Sequence, residues 1–548
     1  MTDNPSPSFA FCIESDAYTT AGKIMGRQAA GQGFLRGLGR TWPKGLLQGV
    51  ATGKFDRDDI RKTLADGGFA GEVRLTGTPG FEGARAAGAL YYPAIPTLEM
   101  ARFRNRIAPG AYSIFGVTHT ICTDRVLDAI AALASYPFMP WDALICTSHA
   151  AKRVVDTVIA ETRDELRTQT GADRFSAIQT PIIPLGVHCD GWTPTADARG
   201  EARQRLGLAA DEVAFLFAGR LSFHAKANPA ALYQALQAIS GDAKVVLIEA
   251  GLFPHEGVAV AYRQAQADLA PDVRFIHAPG DDARAYADAW RAADVFTSLA
   301  DNVQETFGLT PVEAMAAGLP VVVSDWNGYR SNIRDGIDGF LIPTIAAPPG
   351  AGEDLGVAVA SLALTYDRQI GLLSLGVTVD RGPLENALRS LATNPDLRAR
   401  LGAAGRRRAI EVFDWPIVLR AYETLARDLG VIRAGGAEQA PQPWPARADP
   451  LSRFQDFATR TTKDNETVTL RSDAEALLAR IAGLSLADYA FQAPFLQRAD
   501  LERLIVVLRR TGPVTVGALL AEVGGATPPV RRALAWLFKF GIVEIDAP

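Results

Sequence analysis

Glu305-Thr-Phe-Gly-Leu-Thr-Pro-Val-Glu313-Ala-Met-Ala-Ala-Gly-Leu-Pro320, followed at once by Val321-Val-Val-Ser324, decides how this chain folds. The apolar run Asp294 to Ser298 before it and the run after it read as buried strands, and the piece between carries helix punctuation. Thr310 is placed as the N-cap, Pro311 as the first helical residue, Glu313 at the capping-box position, and Gly318 as the left-handed residue that ends the helix ahead of Pro320. The stretch is therefore a β-loop-α-β unit. A helix that starts at the carboxyl end of a parallel strand turns free N–H groups and its positive dipole end toward the crevice above the sheet, which makes a seat for phosphate. Two carboxylates flank that seat and would repel a bare anion. They make sense if the ligand also carries hydroxyls, because ionised carboxylates are strong acceptors for sugar O–H donors. The implied ligand is a phosphorylated sugar.

Two glutamates separated by seven residues, with Phe-Gly-Leu after the first and Glu-Ala-Met-Ala-x-Gly-x-Pro-Val-Val from the second, run from Glu305 to Val322. This pattern resembles the retaining, nucleotide-sugar-dependent glycosyltransferases of family 4. The resemblance implies a GT-B architecture, in which two doubly wound Rossmann-like α/β domains face a crevice.

Length and composition bound the reading to an ordinary soluble protein. At 548 residues there is room for about three or four domains. A hydrophobic fraction of 48% and a formal charge of -5 describe ample core and exclude a polyanion binder. Cys12, Cys122, Cys146 and Cys189 lie far apart without CxxC or Cys/His ligand spacing, as in a reduced, cytoplasmic protein. The N-terminus lacks the basic and apolar regions of a secretory signal, and no apolar run approaches the ~18 residues of a membrane span.

Along the chain, residues 1–210 alternate strand candidates (Ser8 to Glu14, Ile114 to Thr118, Ala143 to Thr147, Ile182 to Leu185) with helix-like stretches, the pattern of a doubly wound sheet on the acceptor side. A second α/β series over 211–410, the donor side, holds strands at Ala214 to Ala218, Lys244 to Glu249 and Val273 to Ile276 and helices from Asn228 and through Tyr286 and Trp290. Residues 344–388 interrupt that series and depart from the compact family pattern as an insertion. The helix-like run with Phe413, Trp415 and Tyr422, assigned to 411–433, resembles the family's closing helix, which crosses back onto the first domain. Residues 434–450 are a Pro/Gly-rich linker.

Residues 451–548 read as a small, mainly helical C-terminal domain. Helices at Leu501 to Arg510, Val514 to Ala521 and Pro528 to Phe540 and a strand at Ile542 to Ile545 resemble a winged-helix module. Its third helix carries only Arg531, Arg532 and Lys539 as cations beside Trp536 and Phe538, which is thin for phosphate neutralisation. Protein contact or self-association is the expected use, rather than nucleic-acid binding.

Chemistry-bearing residues gather at strand ends. Arg220 and Lys226 sit in one strand-to-helix loop; a guanidinium fork and an ammonium suit a diphosphate, and the resemblance gives both that role. In the first half, glycines of the loop Thr19 to Gly31 allow backbone to approach a diphosphate, with Gly26 the chosen position. His119 follows Phe115-Gly-Val-Thr118, where a family histidine sits over the donor sugar. The resemblance further assigns Glu305 to the donor sugar and Glu313 to the ribose. It places the donor on Gly26, Arg220, Lys226, Glu305, Phe307, Gly308, Leu309, Thr310 and Glu313, with Glu305, His119, Arg220 and Lys226 as the catalytic set. Asp301 and Asn302 can add sugar or acceptor contacts. The other histidines form no ligand cluster, so neither a metal nor any other cofactor is expected. The reaction so implied is transfer of a hexose from a nucleotide-diphosphate sugar to an acceptor that the sequence leaves open. An epimerase of the same fold and a sugar-nucleotide-sensing DNA-binding regulator are the alternatives.

Overall fold

Short runs of β-branched and aromatic residues, closed by glycine, proline or a polar turn, fold here as parallel strands. The computed structural model describes residues 6–14, 18, 26–52, 55–77, 81–192, 195–361, 363–436 and 438–546. The first sheet contains β1 (Ala10–Ile13), β2 (Leu46–Ala51), β3 (Glu72–Gly77), β4 (Ala89–Tyr92), β5 (Ser113–Val117) and β6 (Ala143–Ile145), all parallel, in the order β3-β2-β1-β4-β5-β6. The second contains β7 (Val213–Ala218), β8 (Val245–Gly251), β9 (Arg274–Pro279), β10 (Val295–Ser298), β11 (Val321–Ser324) and β12 (Gly339–Ile342), in the order β12-β11-β10-β7-β8-β9. Counted within each half, both orders are the same doubly wound order, reversing direction between the first and fourth strands. Central strands such as β7, β8, β10 and β11 are buried along their whole length, as sheets covered by helices on both faces require. Two such lobes in one body make the GT-B architecture.

Ile182 to Leu185, expected as a strand, is not one. Pro181 and Pro184 remove backbone donors, and only isolated bridges survive, such as that between Cys146 and Ile182. Within 344–388, β13 (Thr344–Ala346) and β14 (Val377–Val379) pair antiparallel and enclose helices Glu353–Ala360 and Tyr366–Leu375. Helix Arg381–Thr393 belongs to the lobe, where Leu384, Leu388 and Leu391 are buried with Val213 and Phe215.

After a π-helical turn at Ala409–Phe413, helix Trp415–Gly435 lies on the first sheet. Tyr422 joins Phe34, Tyr91 and Phe115, and Glu423 accepts bonds from the Ser8 N–H at 2.7 Å and hydroxyl at 2.8 Å. Gly33 leaves room for the Trp415 indole, since a Cβ there would stand 2.7 Å from its Nε1. The expected linker 434–450 is partly structured: Gln442 donates its N–H to the Asn105 carbonyl at 2.8 Å and accepts from the Tyr136 hydroxyl at 2.7 Å, which docks it on the first lobe.

Residues 445–548 form a separate unit. β15 (Thr467–Leu470) lies between β16 (Val514–Thr515) and β17 (Val543–Asp546), antiparallel to both, beside helices Arg498–Thr511, Val516–Glu522 and Pro528–Lys539. Val514 thus opens a strand rather than a helix, because Thr515 caps the following helix through the Ala518 N–H. Trp536 is buried and donates to the Ala487 carbonyl at 3.1 Å.

Candidate active site

In an open doubly wound sheet, ligands bind beyond the carboxyl ends of the strands where the order reverses. In the second lobe that point lies between β7 and β10, whose exits are the loops carrying Arg220 with Lys226 and Glu305. In the first lobe it lies between β1 and β4. Residues 15–17 and 19–25 after β1 are outside the described residues, and Gly26, expected in that loop, is the first residue of helix Gly26–Thr41. After β4 comes Pro93, whose carbonyl lies 3.1 Å from Nε2 of His119, itself just beyond β5. The rims meet here: the Thr306 hydroxyl donates to the His119 carbonyl at 2.9 Å.

Helix Leu309–Ala316 begins earlier than its sequence suggests. Gly308, at φ 89°, is the N-cap in place of Thr310, Pro311 is the third helical residue in place of the first, and Glu313 falls in the second turn, outside any capping box. The reason is that no first-turn N–H has an intrahelical partner, so proline is tolerated throughout that turn and cannot distinguish its first position from its third. Gly318 adopts the expected left-handed conformation at φ 79°. Gly308 is required twice over, because a Cβ there would also run into the Tyr329 ring.

The two glutamates have exchanged their expected structural parts. Glu305 is bound by the Lys226 ammonium and by the N–H groups of Phe307 and Gly308, so it is the anion at the helix N-terminus. Burial alone would push its carboxyl up, but Lys226 and those N–H groups hold it below the usual carboxylate range. The Glu313 side chain has no hydrogen bond or ion pair among the described residues, and burial pushes its carboxyl up to about 7, only partly countered by the Lys226 charge. A half-buried carboxyl with unused acceptors, one turn inside a helix that opens on the crevice, is set for hydroxyl donors from outside the protein. Phe307 is buried edge-on against Phe413, whereas Leu309 and Thr310 keep their N–H groups at the open end of the helix.

Asp301 is enclosed nearby. Its Oδ2 accepts from the Asn228 N–H at 3.3 Å, its Oδ1 has no partner, and burial raises its carboxyl to about 7. Asn302 is committed to the fold, donating to the His224 carbonyl at 2.7 Å and accepting from the Gln304 N–H at 2.8 Å. Arg220 is exposed, with Nη2 donating to Oε1 of Gln304 at 2.9 Å.

Sequence reasoning missed the residues that hold the Glu305 loop. Trp326 donates to the Asn302 carbonyl at 3.0 Å, Asn327 to that of Glu305, and Asn332 to that of Phe307 at 2.7 Å. Trp326-Asn327-Gly328 follows β11 after Asp325 alone, so its place at a strand exit beside the reversal point was the available signal. Gln304 and Tyr366 carried no such signal.

Residues 198–347, which contain this reversal point, match the family described as Glycosyl transferases group 1. The matched residues span all six strands of the second sheet. The chain is 31% identical over 295 residues to a D-inositol 3-phosphate glycosyltransferase of Geodermatophilus obscurus, covering 52% of this chain and 60% of that protein. It is 33% identical over 196 residues to a protein of the same description from Xylanimonas cellulosilytica, covering 34% and 45%. The chain thus spans about half the length of these curated relatives. Among solved structures it is similar to Anabaena HepE in complex with UDP, at a TM-score of 0.49 and 17% identity, covering 76% of this chain and 100% of that one. No helix among the described residues is long and apolar enough to cross a membrane, and no group of three or more His, Cys, Asp or Glu side chains among them could hold a metal ion.

Proposed function

We propose that this glycosyltransferase-family chain is a retaining hexosyltransferase that takes a hexose from a nucleotide-diphosphate sugar. One observation carries the reading: Arg220, Lys226, the open helix end at Leu309 and Thr310 and the unpartnered Glu313 converge at the second sheet's reversal point, across from His119. In this reading Glu313 takes the ribose hydroxyls, and the diphosphate lies along the helix end beside Lys226 and Arg220. Glu305, fixed by Lys226, turns toward the donor sugar with the His119 imidazole on the opposite rim. Catalysis is then positional and electrostatic: the cations and N–H dipoles are in place before charge develops on the departing diphosphate, and the acceptor oxygen approaches on the same face of the sugar. No covalent glycosyl intermediate is required by these residues, and the two cations do the work of charge neutralisation without metal or other cofactor. We place the reaction in the cytoplasm, a reading supported by the four free cysteines.

A thermal-shift screen with UDP-, GDP- and ADP-sugars is the first test, since a ligand at a hundred times its Kd stabilises the folded state by about 2.7 kcal/mol. The expected result is stabilisation by one nucleotide class, followed by transfer with retained anomeric configuration in the presence of chelator. Inositol phosphate is a rational first acceptor because the relatives named above are described by it. No stabilisation by any class at millimolar concentration would overturn the reading, and an altered sugar without acceptor would point to an epimerase.

A further inference from the structure

Helix Tyr366–Leu375 of the insertion lies against the two loops that carry the charged residues of the site. Ile370 is fully buried and its carbonyl accepts from Asn302 at 3.4 Å, while a Cβ on Gly371 would stand 3.3 Å from that of His224. At the start of this helix the Tyr366 hydroxyl contacts both rims: Nε2 of Gln304 donates to it at 2.9 Å, and Sγ of Cys122, in the first lobe, lies 3.4 Å away. The Gln304 amide is thereby oriented, with its nitrogen on Tyr366 and its oxygen accepting from Arg220. Without the hydroxyl the amide is free to turn, and a turned amide would present NH2 to a guanidinium that can only donate. Burial keeps the phenol protonated and pushes its titration upward, so this link persists across the working pH range.

We propose that Tyr366 is a positioning residue of the donor site, which fixes Gln304 and through it sets the Arg220 guanidinium where the donor's diphosphate binds. The insertion is then a wall of the site rather than a surface ornament. This inference rests on the hexosyltransferase reading and concerns the same diphosphate.

The test is calorimetric binding of UDP, GDP and ADP, each beside its monophosphate, to the full chain and to Tyr366→Phe, Arg220→Ala and the double variant. Tyr366→Phe retains the half-buried ring, so its thermal midpoint should stay close to wild type. It should weaken the preferred diphosphate about tenfold while leaving the monophosphate within twofold, and it should add nothing in the Arg220→Ala background. Cys122→Ala should bind as wild type, since sulfur is a weak partner. Equal loss of mono- and diphosphate, or full additivity with Arg220→Ala, would overturn the positioning role and leave the hexosyltransferase reading standing. A wild-type chain that binds none of the diphosphates would overturn that reading and the inference with it.

Discussion

The two lobes share one strand order, yet their reversal points are furnished differently. The second lobe's rim carries two cations, two carboxylates of opposite electrostatic state and a helix end. Among the described residues the first lobe's rim contributes chiefly His119, tied by its carbonyl to Thr306 and by its ring to Pro93. One topology therefore supplies a place for a ligand, and the loop residues decide whether that place has charge to bind with. The contrast repeats within the Glu305 to Glu313 segment, where one carboxylate is consumed by the protein and the other is left open.

Removing the second rim's cations should have the largest effect. Lys226→Met and Arg220→Ala should each lower sugar-transfer or donor-hydrolysis turnover by about two to three powers of ten, the scale seen when a preorganised donor to a developing charge is lost. Steady-state rates check this, and unaltered turnover in both variants would break the contrast. The two should differ in stability. Lys226→Met leaves Glu305 without its counter-charge, so that variant should lose about 1–3 kcal/mol near pH 8 and less near pH 5, where the orphaned carboxyl takes a proton. Arg220, exposed, should melt as wild type.

On the first rim, His119→Ala should lower turnover about tenfold while nucleotide affinity changes less than about twofold, because its partner in the proposed reading is the sugar. Parallel kinetics and calorimetry separate the two. A large loss of nucleotide affinity would move the base-side contacts to the first lobe.

Glu313→Gln should act in opposite directions on binding and stability. Its folded value near 7 lies above the ordinary 4.5, so the wild-type carboxyl is tolerated at low pH and becomes destabilising as pH rises through the folded value. Glu313→Gln should match wild type near pH 4.5 and exceed it above pH 7 by about 1–2 kcal/mol, after allowance for solvent in the crevice. It should also bind nucleotide about tenfold more weakly. Melting curves at several pH values and calorimetry test both signs. A variant that is no more stable at pH 8 than at pH 4.5 relative to wild type would show that Glu313 is already satisfied.

The smallest expected effect is removal of the C-terminal unit. Residues 1–444 hold both sheets and every site residue named here, so the shortened chain should fold and keep nucleotide affinity within about twofold. A soluble, monodisperse fragment unable to bind would show that residues 445–548 complete the site.

The sequence by itself determined five of the second sheet's six strands, all but β12, together with the helix between Glu305 and Pro320 and the identity of its charged residues. Those features follow from local rules: apolar runs bounded by turns, glycine where φ is positive, cations at a strand exit. Only the tertiary structure decided which glutamate is consumed by the fold. Proline and threonine punctuation allowed the helix to start at either Leu309 or Pro311, and the choice was made by packing, where Tyr329 fills the space that a side chain at Gly308 would need. It also decided the place of Tyr366, since neither periodicity nor a motif can show that a helix beginning 62 residues beyond Gln304 folds back onto it. Contacts between residues far apart in the chain depend on the loop closures that bring them together, and local propensity holds no record of those.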